Sequence, residues 1–256
     1  MVSTHAAGAA PSRRSVRRAV RLAASRARPA VDLRPLLDPT IGSQGARPLC
    51  VPFSLASGNE ARRTVAGQPP EPLAPESIWW CCTQRGQTGS RGVQLNAAGT
   101  ALCDVGQPPL SDWPYKEHLG VGTEDPPTTV QTPPWHTGTL RSLNLDHDGI
   151  EEPLEDILAA SIPVVLAVEV TDEFADPDDE GHVTVPSLQT GLSDYHAVVC
   201  IGAATDPSLG RRLLIRNSWG DSWGAGGYCW LPLDYLIAFV PQAAYIQPAV
   251  AIAAKP

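Results

Sequence analysis

Gln44-Gly45-Ala46-Arg47-Pro48-Leu49-Cys50-Val51-Pro52-Phe53-Ser54 sets a cysteine two residues ahead of a proline, at the start of a run that continues helically through Leu55, Ala56 and Glu60 to Arg62. Proline is accepted in the first turn of a helix, where its missing N–H removes no hydrogen bond. Cys50 is therefore predicted at the helix N-terminus. Unpaired N–H groups and the positive end of the helix dipole favour a thiolate there, which is how a cysteine becomes a nucleophile. Taken alone, a cysteine is more often a small buried apolar residue. The assignment needs partners from elsewhere in the chain.

Outward from this stretch, 256 residues with 43% apolar content can build one large domain or two lobes around a sizeable core. The composition is that of an ordinary soluble protein. No apolar run reaches bilayer-spanning length. Arginines at 13, 14, 17, 18 and 21 interrupt any export-signal pattern, so the expected location is cytoplasmic. Residues 1–34 hold eight Arg against one Asp, a local +7 that leaves −15 on the rest of a chain whose net charge is −8. Residues 1–30 are thus expected to be a basic, disordered, solvated arm on an acidic body spanning 31–256. The arm lacks aromatics, which argues against nucleic acid as a partner.

The six cysteines, with no export signal ahead of them, are expected as reduced thiols. Adjacent Cys81 and Cys82 lack the spacing of a zinc clamp. Cys200 and Cys229 sit in apolar, strand-like runs and read as packed residues. Asn144-Leu145-Asp146-His147-Asp148-Gly149 with Glu155 nearly fits a calcium loop. It fails at its first position, has Glu151 where an apolar residue belongs and carries Pro153 inside the loop, so no calcium site is expected. Asp148 reads as a cap or turn residue.

The first half of the chain reads as helical. After the extended segment 31–34 and the Cys50 helix, a second helix begins near Pro75-Glu76-Ser77 and carries Trp79 and Trp80, and a third covers 95–102. Between 105 and 134 the chain is rich in Pro and Gly, with Trp113-Pro114-Tyr115 as a buried anchor. A helix over 151–160 follows, then strands at 164–170, 197–201, 213–215, 228–231 and 243–246. This is an α+β chain, expected as a helical lobe over about 45–135 and a β lobe over about 136–250, with a site in the cleft between them.

The β half supplies the partners. Asp194-Tyr195-His196-Ala197-Val198-Val199-Cys200-Ile201 and Leu213-Leu214-Ile215-Arg216-Asn217 read as an antiparallel hairpin whose loop centres near residue 207. That register sets His196 opposite Asn217, within one residue, at a Cβ separation of ~5 Å. An imidazole held through one ring N–H by an amide oxygen is an oriented general base.

Taken together, these residues resemble a papain-like cysteine peptidase of the C1 type, in a compact bacterial form. The resemblance rests on Gln44-Gly45 six residues before Cys50, on Tyr195-His196-Ala197-Val198, and above all on Ile215-Arg216-Asn217-Ser218-Trp219-Gly220-Asp221-Ser222-Trp223-Gly224-Ala225-Gly226-Gly227-Tyr228. It extends from about Val31 to Ile246. It implies a two-lobe fold, helical then β-barrel-like, with the active site in the cleft. Carried over by position, it implies Cys50 as nucleophile, His196 as general base and acid, Asn217 as its orienter and Gln44 as an oxyanion-hole donor, with Trp219 shielding the His196 to Asn217 bond from water. The implied reaction is peptide-bond hydrolysis through an acyl-enzyme. It needs no cofactor or metal and takes a peptide or protein as partner, with neither nucleic acid nor membrane involved.

The departures are local. The family's C-G-[SA]-C-[WY] is here Arg47-Pro48-Leu49-Cys50-Val51, without the upstream cysteine or the following aromatic. His196 and Asn217 stand 146 and 167 residues after Cys50, against ~130 to 150 in the family, which implies loop insertions. A dedicated peptide-processing enzyme or transpeptidase would share every residue named. A silent binding module is expected to have lost one of the four positions, and none is lost.

Overall fold

The computed structural model describes residues 28–130, 132–145, 149–186 and 194–247. The basic arm through residue 27 and residues Asp146, His147 and Asp148 of the rejected calcium pattern lie outside these residues. In chain order the elements are β1 (Val31–Asp32), a 3-10 turn (Arg34–Leu36), α1 (Cys50–Val65), α2 (Glu76–Gln84), β2 (Thr88–Gly89), β3 (Gly92–Val93), α3 (Leu95–Asp104) and a 3-10 turn (Glu117–Leu119). Then follow β4 (Leu140–Leu143), α4 (Glu151–Ala159), β5 (Val164–Val170), α5 (Asp172–Ala175), β6 (Asp194–Asp206), β7 (Gly210–Arg216), β8 (Tyr228–Pro232), α6 (Leu233–Phe239) and β9 (Gln242–Ile246).

Four valines in the seven residues of β5 suit a strand packed on both faces. It runs through the middle of an antiparallel sheet ordered β4-β9-β5-β6-β7-β8, with β1 added on β6. One hydrophobic core gathers Leu166, Val168, Val198, Leu213 and Phe174 on the sheet side, and a second gathers Leu49, Leu55, Ile78, Trp79 and Leu102 among the helices. The second core closes on Val165, Ala244 and Ile246 of β5 and β9, so the helices rest directly on the sheet. Among the described residues, no helix is long and apolar enough to cross a membrane.

α1 packs against both sides of this arrangement, and its sequence explains how. Ser54, Ala56, Gly58 and Ala61 are buried. A Cβ on Gly58 would lie 3.2 Å from Ile246 Cδ1, a tight contact to which the Ile246 side chain on β9 would have to yield. The helix therefore tolerates a residue that costs roughly 1 kcal/mol in propensity relative to Ala. Gly202 plays a similar part in β6, since a Cβ there would lie 2.3 Å from the Val31 carbonyl oxygen of the neighbouring β1.

Several elements were not foreseen from the sequence: the short hairpin β2-β3, edge strand β4, and helices α5 and α6. All are short or lack a clear apolar period. β6 is also far longer than expected, running on through Asp206.

On α1, Glu60 is buried, with an oxygen accepting the Asp38 N–H at 2.7 Å. Arg216 lines the same small cavity of about 180 Å³. Burial raises the Glu60 pKa to about 7, against the weaker opposing effects of the Asp38 N–H and of Arg216. Between the ordinary carboxyl value of 4.5 and about 7, the folded state keeps a proton that the unfolded state has lost, so stability falls as pH rises through this window. Its size is on the order of 3 kcal/mol. Glu60→Gln keeps an acceptor for Asp38 and removes the titration. Its melting temperature should match the wild type near pH 4 and exceed it near pH 8. A difference of equal size at both pH values would contradict this account.

Candidate active site

Cys50 is the first residue of α1 and Pro52 the third, and no side chain caps this terminus. The free N–H groups of the first turn are thus left at the front of the helix. Burial pushes the Cys50 thiol above its ordinary pKa, and the backbone N–H groups of Ala197, Val51 and Cys50, directed at the sulfur, oppose the shift. The helix-start position is as the sequence predicts. The helix terminus counted in the sequence reading favours the thiolate, and the burial that the fold adds works against it.

His196 lies on β6, directly opposite Val168 of β5, and is 6% exposed. Cys50 and His196 line one cleft of about 340 Å³. Val93 and Leu95 form its wall on the helical side and Val165 and Ala167 its wall on the sheet side. The His196 Nε2 and Asn217 Oδ1 are 2.7 Å apart. Which nitrogen carries the proton follows from a third group. The Ser218 backbone N–H donates to the same Asn217 oxygen at 2.8 Å, so that atom is an acceptor and the imidazole must donate to it from Nε2. Nδ1 is then left with a free lone pair. Burial lowers the His196 pKa to about 4, with the Asn217 bond acting the other way.

The contact between His196 and Asn217 does not arise from the expected register. Val199 pairs with Arg216 and Cys200 with Ile215, and a bulge separates Cys200 from Gly202. Continuing that pairing puts Val198 opposite Asn217, which lies just past the end of β7. His196 is two residues further along and so on the same face of the sheet. Diagonal neighbours of this kind are ~7–8 Å apart at the backbone, within reach of a ring and an amide.

Trp219 lies over the imidazole, with ring centroids 4.5 Å apart and planes tilted by 32°. Phe174 of α5 packs edge-on against Trp219 at 5.9 Å and, tilted by 42°, against Trp223 at 5.4 Å. Phe174 was not foreseen as part of the site. It stands in the acidic stretch 172–180.

Gln44 is 7% exposed and is not among the residues lining the cleft. Its Oε1 accepts from Ser218 Oγ at 2.7 Å and its Nε2 donates to the Arg47 carbonyl at 2.8 Å, which leaves one amide N–H uncommitted. Ser218 was likewise not singled out from the sequence, although it sits inside the motif. It ties Asn217 through its backbone and Gln44 through its side chain.

Among the described residues, Asp178, Glu180 and His182 bring three potential metal-ligand atoms within 4.8 Å of one another. None of the three lines the cleft. The six cysteines are free thiols, with Cys200 and Cys229 fully buried.

Residues 32–235 match the family profile described as Papain family cysteine protease. The chain belongs to the papain family of cysteine proteases. "Cysteine proteinase 3" of Entamoeba histolytica is 30% identical over 124 residues, covering 48% of this chain and 37% of that protein. A "Cathepsin L-like" protein of Caenorhabditis elegans is 25% identical over 206 residues, covering 73% of this chain and 54% of its own. The chain thus spans about a third to a half of the length of these papain-family relatives. In fold it is similar to xylellain, a cysteine protease from Xylella fastidiosa, with a TM-score of 0.71 at 21% identity over 94% of this chain and 91% of the other. The α+β papain fold, with its cleft between a helical and a β lobe, is the one the sequence implies.

Proposed function

We propose that the chain hydrolyses peptide bonds by nucleophilic catalysis, with Cys50 as nucleophile, His196 as base and acid, Asn217 as the orienter of His196 and Gln44 as an oxyanion-hole donor. The observation that carries this reading is the hydrogen bond between His196 and Asn217 at 2.7 Å, whose donor is fixed as Nε2 by the Ser218 N–H. That arrangement leaves Nδ1 free to take the Cys50 proton within the shared cleft.

Burial disfavours each charge alone, as the raised thiol and lowered imidazole pKa values show. Moving the proton from Sγ to Nδ1 makes both charges at once, side by side, and each then stabilises the other. The thiolate attacks the peptide carbonyl carbon, and the carbonyl π pair moves onto oxygen. The Cys50 N–H and the uncommitted Gln44 N–H receive that oxyanion. As the C–N bond breaks, His196 Nδ1–H protonates the departing amine and leaves a thioester on Cys50. Water, deprotonated by Nδ1, then cleaves the thioester and restores the thiol. The apolar walls around Val93, Leu95, Val165 and Ala167 suit an apolar side chain of the peptide.

The test is a peptide carrying an electrophilic epoxide. It is expected to modify Cys50 alone among the six cysteines and to abolish hydrolysis of a fluorogenic peptide in proportion to labelling. Modification at Cys103, the exposed thiol, with Cys50 untouched would refute the assignment.

A further inference from the structure

Six residues before the nucleophile, Gln44 begins a loop that has no regular structure of its own, yet its amide must be held to a fraction of an ångström to meet a developing charge. The residue that stabilises this loop is Arg47. The residue is 1% exposed, and all five of its guanidinium N–H groups are used. Nη1 donates to Glu76 Oε2 at 2.6 Å and to the Lys116 carbonyl at 3.0 Å. Nη2 donates to Glu76 Oε1 at 3.1 Å and to the Gly122 carbonyl at 2.8 Å, and Nε donates to the Gly120 carbonyl at 2.7 Å. Glu76 belongs to α2 and takes a further bond from Thr123 Oγ1 at 2.9 Å.

The other end of the same residue touches Gln44. The Arg47 carbonyl accepts the Gln44 Nε2–H at 2.8 Å and the Leu49 N–H at 2.9 Å, where the chain turns into α1. The Arg47 N–H donates back to the Gln44 carbonyl at 3.2 Å. That carbonyl also accepts Tyr115 Oη at 2.8 Å, and the Tyr115 ring lies 5.0 Å from the guanidinium carbon. A side chain plugged into fixed acceptors from α2 and from 116–122 therefore fixes the carbonyl on which the Gln44 amide rests.

We infer that Arg47, locked to Glu76, is a positioning residue for the oxyanion-hole amide of Gln44. The inference rests on the role proposed above for Gln44. A planar fork with five donors in set directions satisfies this socket, and a lysine, with three donors on one nitrogen, does not. Arg47→Lys keeps the charge opposite Glu76 and loosens the carbonyl that carries Gln44.

The test is a double-mutant cycle on the full chain, reading kcat and KM for one peptide amide together with the rate of Cys50 alkylation by iodoacetamide. Arg47→Lys is expected to lower kcat by about tenfold with a change in KM below about threefold. Arg47→Lys combined with Gln44→Ala is expected to be no worse than Gln44→Ala alone, within about twofold, because the first acts only through the second. Cys50 alkylation forms no oxyanion and should keep its wild-type rate in all variants. Losses that multiply, an unchanged kcat in Arg47→Lys, or a fall in alkylation equal to the fall in kcat would each overturn the inference. If Arg47→Lys does not fold, Glu76→Gln is put through the same cycle with the same expected and overturning results. A wild-type kcat in Gln44→Ala would remove the donor role and this inference together, while normal epoxide labelling would leave Cys50 standing as the nucleophile.

Discussion

His196→Ala and Cys50→Ala are each expected to lower peptide hydrolysis by on the order of 10⁴-fold or more, and the double variant to be no worse than either alone. Both lose the same step, transfer of a proton from sulfur to Nδ1 as the carbon–sulfur bond forms. Neither should unfold the chain. Cys50 lies at the edge of the cleft, and when His196 is removed the Asn217 oxygen still accepts from the Ser218 N–H at 2.8 Å. Asn217→Ala only frees the ring to turn, so the expected loss is about 10²-fold. Trp219→Ala, which admits water to the His196 to Asn217 bond, should lose less again. These follow from comparing kcat/KM across the series by fluorogenic hydrolysis, with circular dichroism melts to establish folding. An Asn217→Ala variant as dead as His196→Ala would mean that Asn217 does more than hold the ring.

Gln44→Ala is expected to reduce kcat by roughly 10- to 1,000-fold with a smaller effect on KM, since in the proposed mechanism its N–H meets charge that exists only in the transition state. The hydrogen bonds give this a sharper form. Gln44→Glu would keep an acceptor for Ser218 Oγ, now bonded to Gln44 Oε1 at 2.7 Å, but has no N–H to offer an oxyanion when ionised. It should therefore be at least as slow as Gln44→Ala. A Gln44→Glu enzyme near wild-type kcat would show that Gln44 serves the loop through Ser218 and not the reaction.

What the sequence revealed about this site is what depends on neighbours in the chain. Pro52 confines the start of α1 to within a turn, and so Cys50 could be placed. The hairpin was recognised, but the residue opposite Asn217 was displaced by two, because the turn centres on 208 and not 207, and a bulge between Cys200 and Gly202 takes back only one residue of that shift. A displacement by two preserves the face, whereas a displacement by one would have reversed it. Gly202 inside an apolar strand was the available hint of a bulge. Phe174 and Arg47 were not legible. Neither a phenylalanine among acidic residues nor an arginine in a loop carries a local pattern that marks it as buried, and only the assembled fold shows the indole rings on one and the carbonyl socket around the other. The burial of the Cys50 thiol was not legible either, because the cleft around it includes Val165, Ala167 and Ala197, more than a hundred positions away.

In the proposed mechanism His196 makes Cys50 a nucleophile, and the helix terminus alone does not. The most direct measurement is the rate of Cys50 alkylation by iodoacetamide as a function of pH in the wild type and in His196→Ala, with Cys103 as an internal exposed thiol. In the wild type Cys50 should react faster than Cys103 even near pH 6, where an ordinary thiol is almost wholly protonated. In His196→Ala the buried thiol should lose that reactivity, fall below Cys103 at neutral pH and recover only well above pH ~8.5. The same pH profile for Cys50 in both proteins would contradict the account.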